Sequence, residues 1–336
     1  MRKPAVPAAP HGSFATMSYD EEPAASATSP PRLIGLDWGS SQLRVWLYGP
    51  DGAVLAERNS SDGASRLTGG PAAFDAALGA VAGDWLGLGL PMLACGMVGS
   101  AHGWLEAAYV ACPTALDRLH EHLAALTTSA GARLHIVPGL IDHPRPGTPD
   151  VMRGEETQLI GLLAGDPTLA FACTVVMPGT HSKWVSVREG RVSGFRTRMT
   201  GELYALLRQH SVLARLMPDG QSDWHSDGFD AGLNSARQSG GTDLSGQLFA
   251  ARSLGLTSQL ASAALPDYLS GLLIGHELLA GLSNHVGRLV LVGDAALCQR
   301  YRHALMRWGT AVQGEHSQTA SAGLWRLAAQ AGLTDS

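Results

Sequence analysis

Four short segments carry the residue types that phosphate chemistry needs. The first is DWGSSQLR (37–44). A polyphosphate needs backbone N–H donors at close range and side chains too small to block it, and Gly39, Ser40 and Ser41 in a turn offer both. Asp37, at a strand end, can hold a hydrated magnesium ion beside the phosphates. No GxxxxGK[ST] P-loop is present, and this turn leads into a strand instead of a helix. The same residues also suit an ordinary polar hairpin turn. The second segment is MPGTHSK (177–183), where Pro178 and Gly179 tighten a turn, Thr180 and Ser182 add hydroxyls, and Lys183 adds charge.

The third segment, MRGEETQL (152–159), places Glu155 and Glu156 at the start of a helix. Phosphoryl transfer to an alcohol gains from a carboxylate that orients the hydroxyl and accepts its proton. Acids at a helix start also simply complement the helix dipole. Glu156 is assigned the proton-accepting role and Glu155 is explained as well by the dipole; which of the two is the base stays open. Arg153 beside them suits a substrate carboxylate or phosphate. The fourth segment is LVLVGD (289–294), where Gly293 lets backbone pass close to a flat adenine ring.

The elements around these segments repeat. LIGLD (33–37), LRVWLY (43–48) and AVLAER (53–58) read as a three-strand meander. CTVVMPGTHSKWVSVREGRVSGFR (173–196) reads as the same meander about 140 residues later, with Trp184 taking the place of Trp46. Two copies mean two domains of one design, their polar turns facing each other across a cleft. Further strands are expected at 91–100, 133–140 and 288–294. Helices are expected at 71–89, 113–127, 155–165, 200–216 with Thr200 as N-cap, 267–282, 295–308 and 320–331. Residues 142–150, rich in proline, read as a loop, and 218–245 as polar and turn-rich. His276 lies in HELLA, which lacks the second histidine of a zinc-protease helix.

Composition narrows the partners. The 336 residues are 45% apolar and 16% charged, with a formal net charge of −5. No basic face suits nucleic acid or an anionic membrane. No apolar run reaches the roughly 18 residues of a membrane span. Cys95, Cys112, Cys173 and Cys298 are too far apart for a zinc knuckle and read as reduced thiols. Residues 1–31, mostly Ala, Pro and Ser, are expected to be disordered, with Met17 an alternative start. No secretory signal follows Arg2 and Lys3, so a cytoplasmic location is expected.

The four segments resemble the phosphate, catalytic and adenosine motifs of the sugar-kinase, actin and heat-shock chaperone superfamily. Within it, GMVGS (96–100), VPGL (137–140), MRGEETQLIG (152–161), MPGTHSKWV (177–185), FRTRMTGEL (195–203) and LSGLLIG (269–275) resemble the 2-dehydro-3-deoxygalactonokinase family. The likeness runs from about residue 31 to the C-terminus. It implies an α/β fold of two ribonuclease H-like domains of the actin/hexokinase type, each a mixed five-stranded sheet with flanking helices, around a nucleotide cleft. Residues 32–165 would hold the sugar-acid site and linker helix, and 166–336 the nucleotide site.

The resemblance further implies transfer of the ATP γ-phosphate, with Mg2+, to the 6-hydroxyl of 2-dehydro-3-deoxy-galactonate in galactonate catabolism. Glu156 and Asp37 would be catalytic. Gly39, Ser40, Ser41, Arg44, Gly179, Thr180, His181, Lys183 and Gly293 would contact the nucleotide. Ser65, Arg66, Gly96, Met97, Arg153 and Glu155 would contact the sugar acid. One departure is Gly293-Asp294-Ala295, which lacks the paired glycines common in the superfamily and leaves base preference open. A nucleotide or polyphosphate phosphatase is the alternative enzyme, and an actin-like ATP-binding protein the non-enzymatic one. A homodimer and the galactonate or gluconate stereochemistry stay open.

Overall fold

The computed structural model describes residues 30–220 and 224–335, so the expected leader and Met17 lie outside it apart from Pro30 and Pro31. β1 (Leu33–Trp38), buried at every residue, is the centre of a six-stranded sheet. β2 (Leu43–Tyr48) and β3 (Val54–Ser60) add antiparallel on one side, as the meander predicts. β4 (Met92–Gly96) and β8 (Arg133–Ile136) add parallel on the other, and β7 (Ala124–Thr127) closes that edge. The second sheet repeats the plan with β11 (Ala172–Met177) at its centre. β12 (Ser182–Arg188) and β13 (Arg191–Arg198) form its meander, and β14 (Arg288–Val292) and β15 (Gly314–His316) its parallel side. The expected five strands are present in each sheet, and each gains a sixth. In the second sheet the extra strand is β6 (Thr114–Ala115), lent by the first half of the chain.

Between the sheets lie α2 (Glu155–Gly165) and α8 (Thr319–Gln330). They share one continuous core with Leu33, Tyr48 and Leu93 of the first sheet and Val175, Val185 and Val290 of the second. α1 (Pro71–Leu86) covers the outer face of the first sheet, setting Phe74 and Leu78 against Ile34 and Leu36. α6 (Leu265–Leu282) and α7 (Ala295–Arg307) cover the outer face of the second. α3 (Thr200–His210), α4 (Ser226–Gln238) and α5 (Leu244–Leu256) pack around α6 in a further layer. This is the mixed-sheet, two-lobed actin/hexokinase architecture.

Five sequence expectations are corrected. Residues 113–127 form β6, a 3₁₀ segment Leu116–His122 and β7, not a helix. Leu116 and Leu119 are buried at a spacing of three, which suits a 3₁₀ turn as well as an α-helix. Residues 142–150 are not a loop: β9 (Gly139–Arg145) and β10 (Thr148–Met152) form a hairpin, which β5 (Tyr109–Ala111) extends to three strands. Pro144 lies beyond the β5 pairing and Pro149 falls in the register shift between Thr148 and Asp150, where no ladder donor is needed. The turn-rich 218–245 contains α4, whose burial rests on Phe229, Leu233 and Ala236 and on glycines that admit α6. A Cβ at Gly232 would sit 2.1 Å from the backbone carbonyl oxygen of Tyr268. The helix expected over 200–216 ends at His210 and continues as 3₁₀ turn Val212–Leu216, and its N-cap position is Met199, with Thr200 turned inward. Trp184 does not match Trp46. Trp46 faces the inner core and Trp184 the outer one, because a one-residue offset in a strand reverses the face.

Candidate active site

Asp37 is the fifth residue of β1, on the face turned toward α2. Its register partner on β2, Arg44, donates from Nη2 to its carboxylate, and the guanidinium also lies 5.6 Å from the Trp46 ring centre. Cys95, beside it on β4, has its Sγ 3.8 Å from Asp37 Oδ1. Burial, with the fields of Asp37 and Glu156, pushes that thiol well above its usual range, so Cys95 stays neutral beside these two acids.

Beyond Asp37 the chain turns. Gly39 N donates to Gln42 O at 2.9 Å, Ala64 N to Gly39 O at 2.9 Å and Ser65 N to Ser40 O at 3.0 Å. Gly39, Ser40, Ser41, Ser65 and Arg66 therefore form one cluster at the sheet's end, with both serine side chains of the turn exposed.

Glycine brings the start of α2 against this sheet. Gly96 has φ +90 and packs so closely that a Cβ would lie 2.6 Å from Trp38 O. Gly154, at φ +108, packs against Gly96, its would-be Cβ 3.3 Å from Gly96 Cα. α2 starts immediately after. Both Glu156 oxygens accept from Gly154 N, at 2.9 and 2.7 Å, and Thr157 Oγ1 donates to Oε1 at 3.1 Å. Glu156 is fully buried, and burial first, then Glu155, pushes its pKa up to about 8.

Glu155 points elsewhere. Its Oε2 accepts from Arg153 N at 3.0 Å and its Oε1 lies 3.2 Å from Lys183 Nζ. Lys183 is on the inner face of β12, so this ion pair ties the start of α2 to the strand that follows the second turn. Arg153 is held by its own contacts: Nη2 donates to Ala107 O at 2.7 Å and the guanidinium stacks 4.4 Å from the Tyr109 ring centre. Its Nε and Nη1 are buried without a partner among the described residues. Met97, half-buried, opens the 3₁₀ turn after Gly96.

The second turn rests on α3. Glu202 N donates to Thr180 O at 3.0 Å, and a Cβ at Gly201 would lie 2.4 Å from Gly179 O. His181 turns outward to Glu202 across an exposed contact. Gly179, Thr200 and Gly201 line a cavity of about 540 Å3 with Tyr204, Asp294 and Tyr301. Gly293 does not line it. Its N–H donates to His316 O at 3.0 Å, and its neighbour Asp294 faces the cavity while accepting from Ala296 N and Leu297 N at the start of α7.

The structure thus gathers Asp37, Arg44, Gly96, Arg153, Glu155, Glu156 and Lys183 at one junction of β1, β4, α2 and β12. It sets the Gly39–Ser41 turn with Ser65 and Arg66 at the end of the first sheet, and Gly179 at the cavity of the second. Thr200, Tyr204 and Tyr301 escaped sequence reasoning. They come from two helices, α3 and α7, with no shared motif, and their only sequence signal is a polar group within an otherwise apolar helical face.

A family model for 2-keto-3-deoxy-galactonokinase matches residues 37–327. The chain belongs to that family. A 2-dehydro-3-deoxygalactonokinase of Escherichia coli (strain K12) is 38% identical over 294 residues, covering 84% of this chain and 94% of the relative. A Rhizobium meliloti (strain 1021) protein assigned the same activity is 39% identical over 285 residues, covering 83% and 90%. A crystal structure of a Sinorhizobium meliloti protein assigned as 2-dehydro-3-deoxygalactonokinase superposes with a TM-score of 0.78 at 37% identity, covering 88% of this chain and 98% of that one. Membership of this kinase family leaves the phosphatase alternative without support. No helix among the described residues is long and apolar enough to cross a membrane.

Proposed function

We propose that this chain transfers the γ-phosphoryl group of ATP to the 6-hydroxyl of 2-dehydro-3-deoxy-D-galactonate, acting in the cytoplasm as part of galactonate breakdown. The observation that carries the reading is the junction itself: a buried carboxylate on α2, Asp37 on one sheet and Lys183 on the other, within a chain of the galactonokinase family. Glu156 accepts the hydroxyl proton as the new O–P bond forms and the bond to ADP breaks. The two turns and Lys183 balance the charge on the phosphoryl oxygens. Residues 32–165 then serve as the sugar-acid lobe and 166–336 as the nucleotide lobe, with adenosine in the cavity beside Gly179 and Asp294.

Arg153, Glu155, Gly96, Met97, Ser65 and Arg66 are assigned to the sugar acid. The two unpartnered nitrogens of Arg153, Nε and Nη1, support a role toward its carboxylate. Among the described residues no group of three or more His, Cys, Asp or Glu side chains could hold a metal ion by itself. Asp37 would hold magnesium, brought in with ATP, through water, and the ion would supply positive charge to offset that of the phosphates. One Asp37 oxygen is engaged by Arg44, and among the described residues the other meets only the weak Cys95 thiol.

Coupled ADP release across a panel of 2-keto-3-deoxy sugar acids tests this. ADP is expected only when an acid is added, fastest with the galactonate-derived one. Phosphate release without any acid would overturn the reading. In the same assay Asp37→Asn is expected to raise the magnesium concentration needed for half-maximal rate by roughly 10-fold or more, since a neutral amide holds the ion's water shell weakly.

A further inference from the structure

Glu277 lies in the middle of α6, on a face otherwise made of Leu273, Ile274 and Leu278, and is only 3% exposed. Its carboxylate is met by three neutral donors from three other elements. Trp184 Nε1 of β12 donates to Oε1 at 2.8 Å. Tyr301 Oη of α7 donates to Oε2 at 2.7 Å, and Thr200 Oγ1, at the first turn of α3, donates to the same oxygen. Tyr301 Oη is also 3.0 Å from Ser182 Oγ, the first residue of β12.

These are the elements that frame the second turn. β12 begins where the turn ends, and α3 begins with Thr200 and with Gly201, which touches Gly179 and Thr180. Tyr301 and Thr200 line the 540 Å3 cavity. A carboxylate with no cation to balance it is costly in an apolar core unless its acceptors are filled. Desolvation by burial raises its pKa, and the donors oppose that shift. A structural tie between helices could be made by apolar packing at no such cost. An acceptor-only group does something apolar packing cannot: it aligns all three donors inward and fixes the backbone that carries them.

We infer that Glu277 is a positioning residue for the nucleotide phosphates, holding the Gly179–Lys183 turn in its binding geometry through Trp184, Thr200 and Tyr301. It touches neither substrate. The inference rests on the proposed kinase reading, in which that turn grips the phosphate chain.

The test compares Glu277→Gln, Tyr301→Phe and the double variant with wild type. The gentler Tyr301→Phe removes one hydroxyl and keeps the ring, so it decides the matter should Glu277→Gln fail to fold. The expected KM for ATP rises about 10-fold in Glu277→Gln and about 3-fold in Tyr301→Phe, the loss of a hydrogen bond. KM for the sugar acid stays within about two-fold. The two effects combine less than additively in the double variant, because the Tyr301 hydroxyl shares the carboxylate while its contact with Ser182 Oγ is lost separately. Amide hydrogen exchange over residues 179–183 quickens in each variant. An unchanged ATP KM in a folded Tyr301→Phe protein, or equal changes in both KM values, would overturn the inference. Should wild type neither bind an ATP analogue nor release ADP, the kinase reading fails. The exchange rates then still judge the tie: unchanged protection of 179–183 sinks it, and faster exchange keeps it.

Discussion

Glu156→Gln is expected to lower turnover by roughly 10²–10⁴-fold while ATP still binds, the usual effect of removing a general base. The amide keeps the shape of the side chain and its bond from Gly154 N, but it cannot take a proton. Near-normal turnover in the variant would remove Glu156 from the mechanism and turn attention to Glu155. The same residue predicts a pH profile. With its pKa pushed up to about 8, Glu156 is mostly protonated near neutrality in the nucleotide-free protein. The wild-type kcat/KM for the sugar acid should therefore climb with pH and level off above about 8, and this rise should vanish in Glu156→Gln.

Stability should move in the opposite direction to activity. The folded protein holds the Glu156 proton more tightly than the unfolded chain, whose carboxyl titrates near about 4.3. This contribution is complete below that value and is lost as pH rises through about 8. The loss amounts to at most about 5 kcal/mol, at about 1.4 kcal/mol per pH unit. Glu156→Gln imitates the protonated form, so it should melt several degrees above wild type at about pH 9 and alongside it at about pH 5. A variant that melts lower than wild type in the alkaline buffer would contradict this.

The largest structural effect is expected where α2 crosses α8. A Cβ at Gly161 would lie 1.9 Å from Thr319 O, and one at Gly323 would lie 1.9 Å from Thr157 O. Neither neighbour is a flexible side-chain end; both are helix backbone. Either Gly161→Ala or Gly323→Ala must push the helices apart by more than an ångström, at a cost of about 3 kcal/mol or more, the upper range for overpacking. Turnover should fall as well, because Thr157 adjoins Glu156 and donates to it. Thermal melting and steady-state rates check both halves. A Gly323→Ala protein with wild-type melting and turnover would show that the contact is slack.

Much of the fold was legible because Gly-rich turns and buried strands leave local signals. The two meanders were visible as short apolar runs broken by such turns, and Glu155 and Glu156 open a helix as their position predicts. What was hidden depends on distant contacts. Pro144 and Pro149 argue for a loop until it is known that the hairpin can leave both outside its pairing. SDGFDAGLNSARQ looks unstructured because α4 packs through glycine and backbone instead of a broad apolar stripe. Glu277 resembled one half of a failed zinc motif, and only the fold brings Trp184, Thr200 and Tyr301 to it.

The short strand β6 carries a wider meaning. Thr114–Ala115, from the first half of the chain, pairs with Arg191 and Val192 at the edge of the second sheet. In return α8, from the second half, lies against β1 and accepts the Tyr48 hydroxyl at Ser321 O, 3.0 Å away. Each half has lent the other a piece. Two units built to one plan have become entangled, and neither is whole when cut away at Gly165. Separating the two halves would break both loans at once, the β6 pairing on one side and the Tyr48–Ser321 bond on the other.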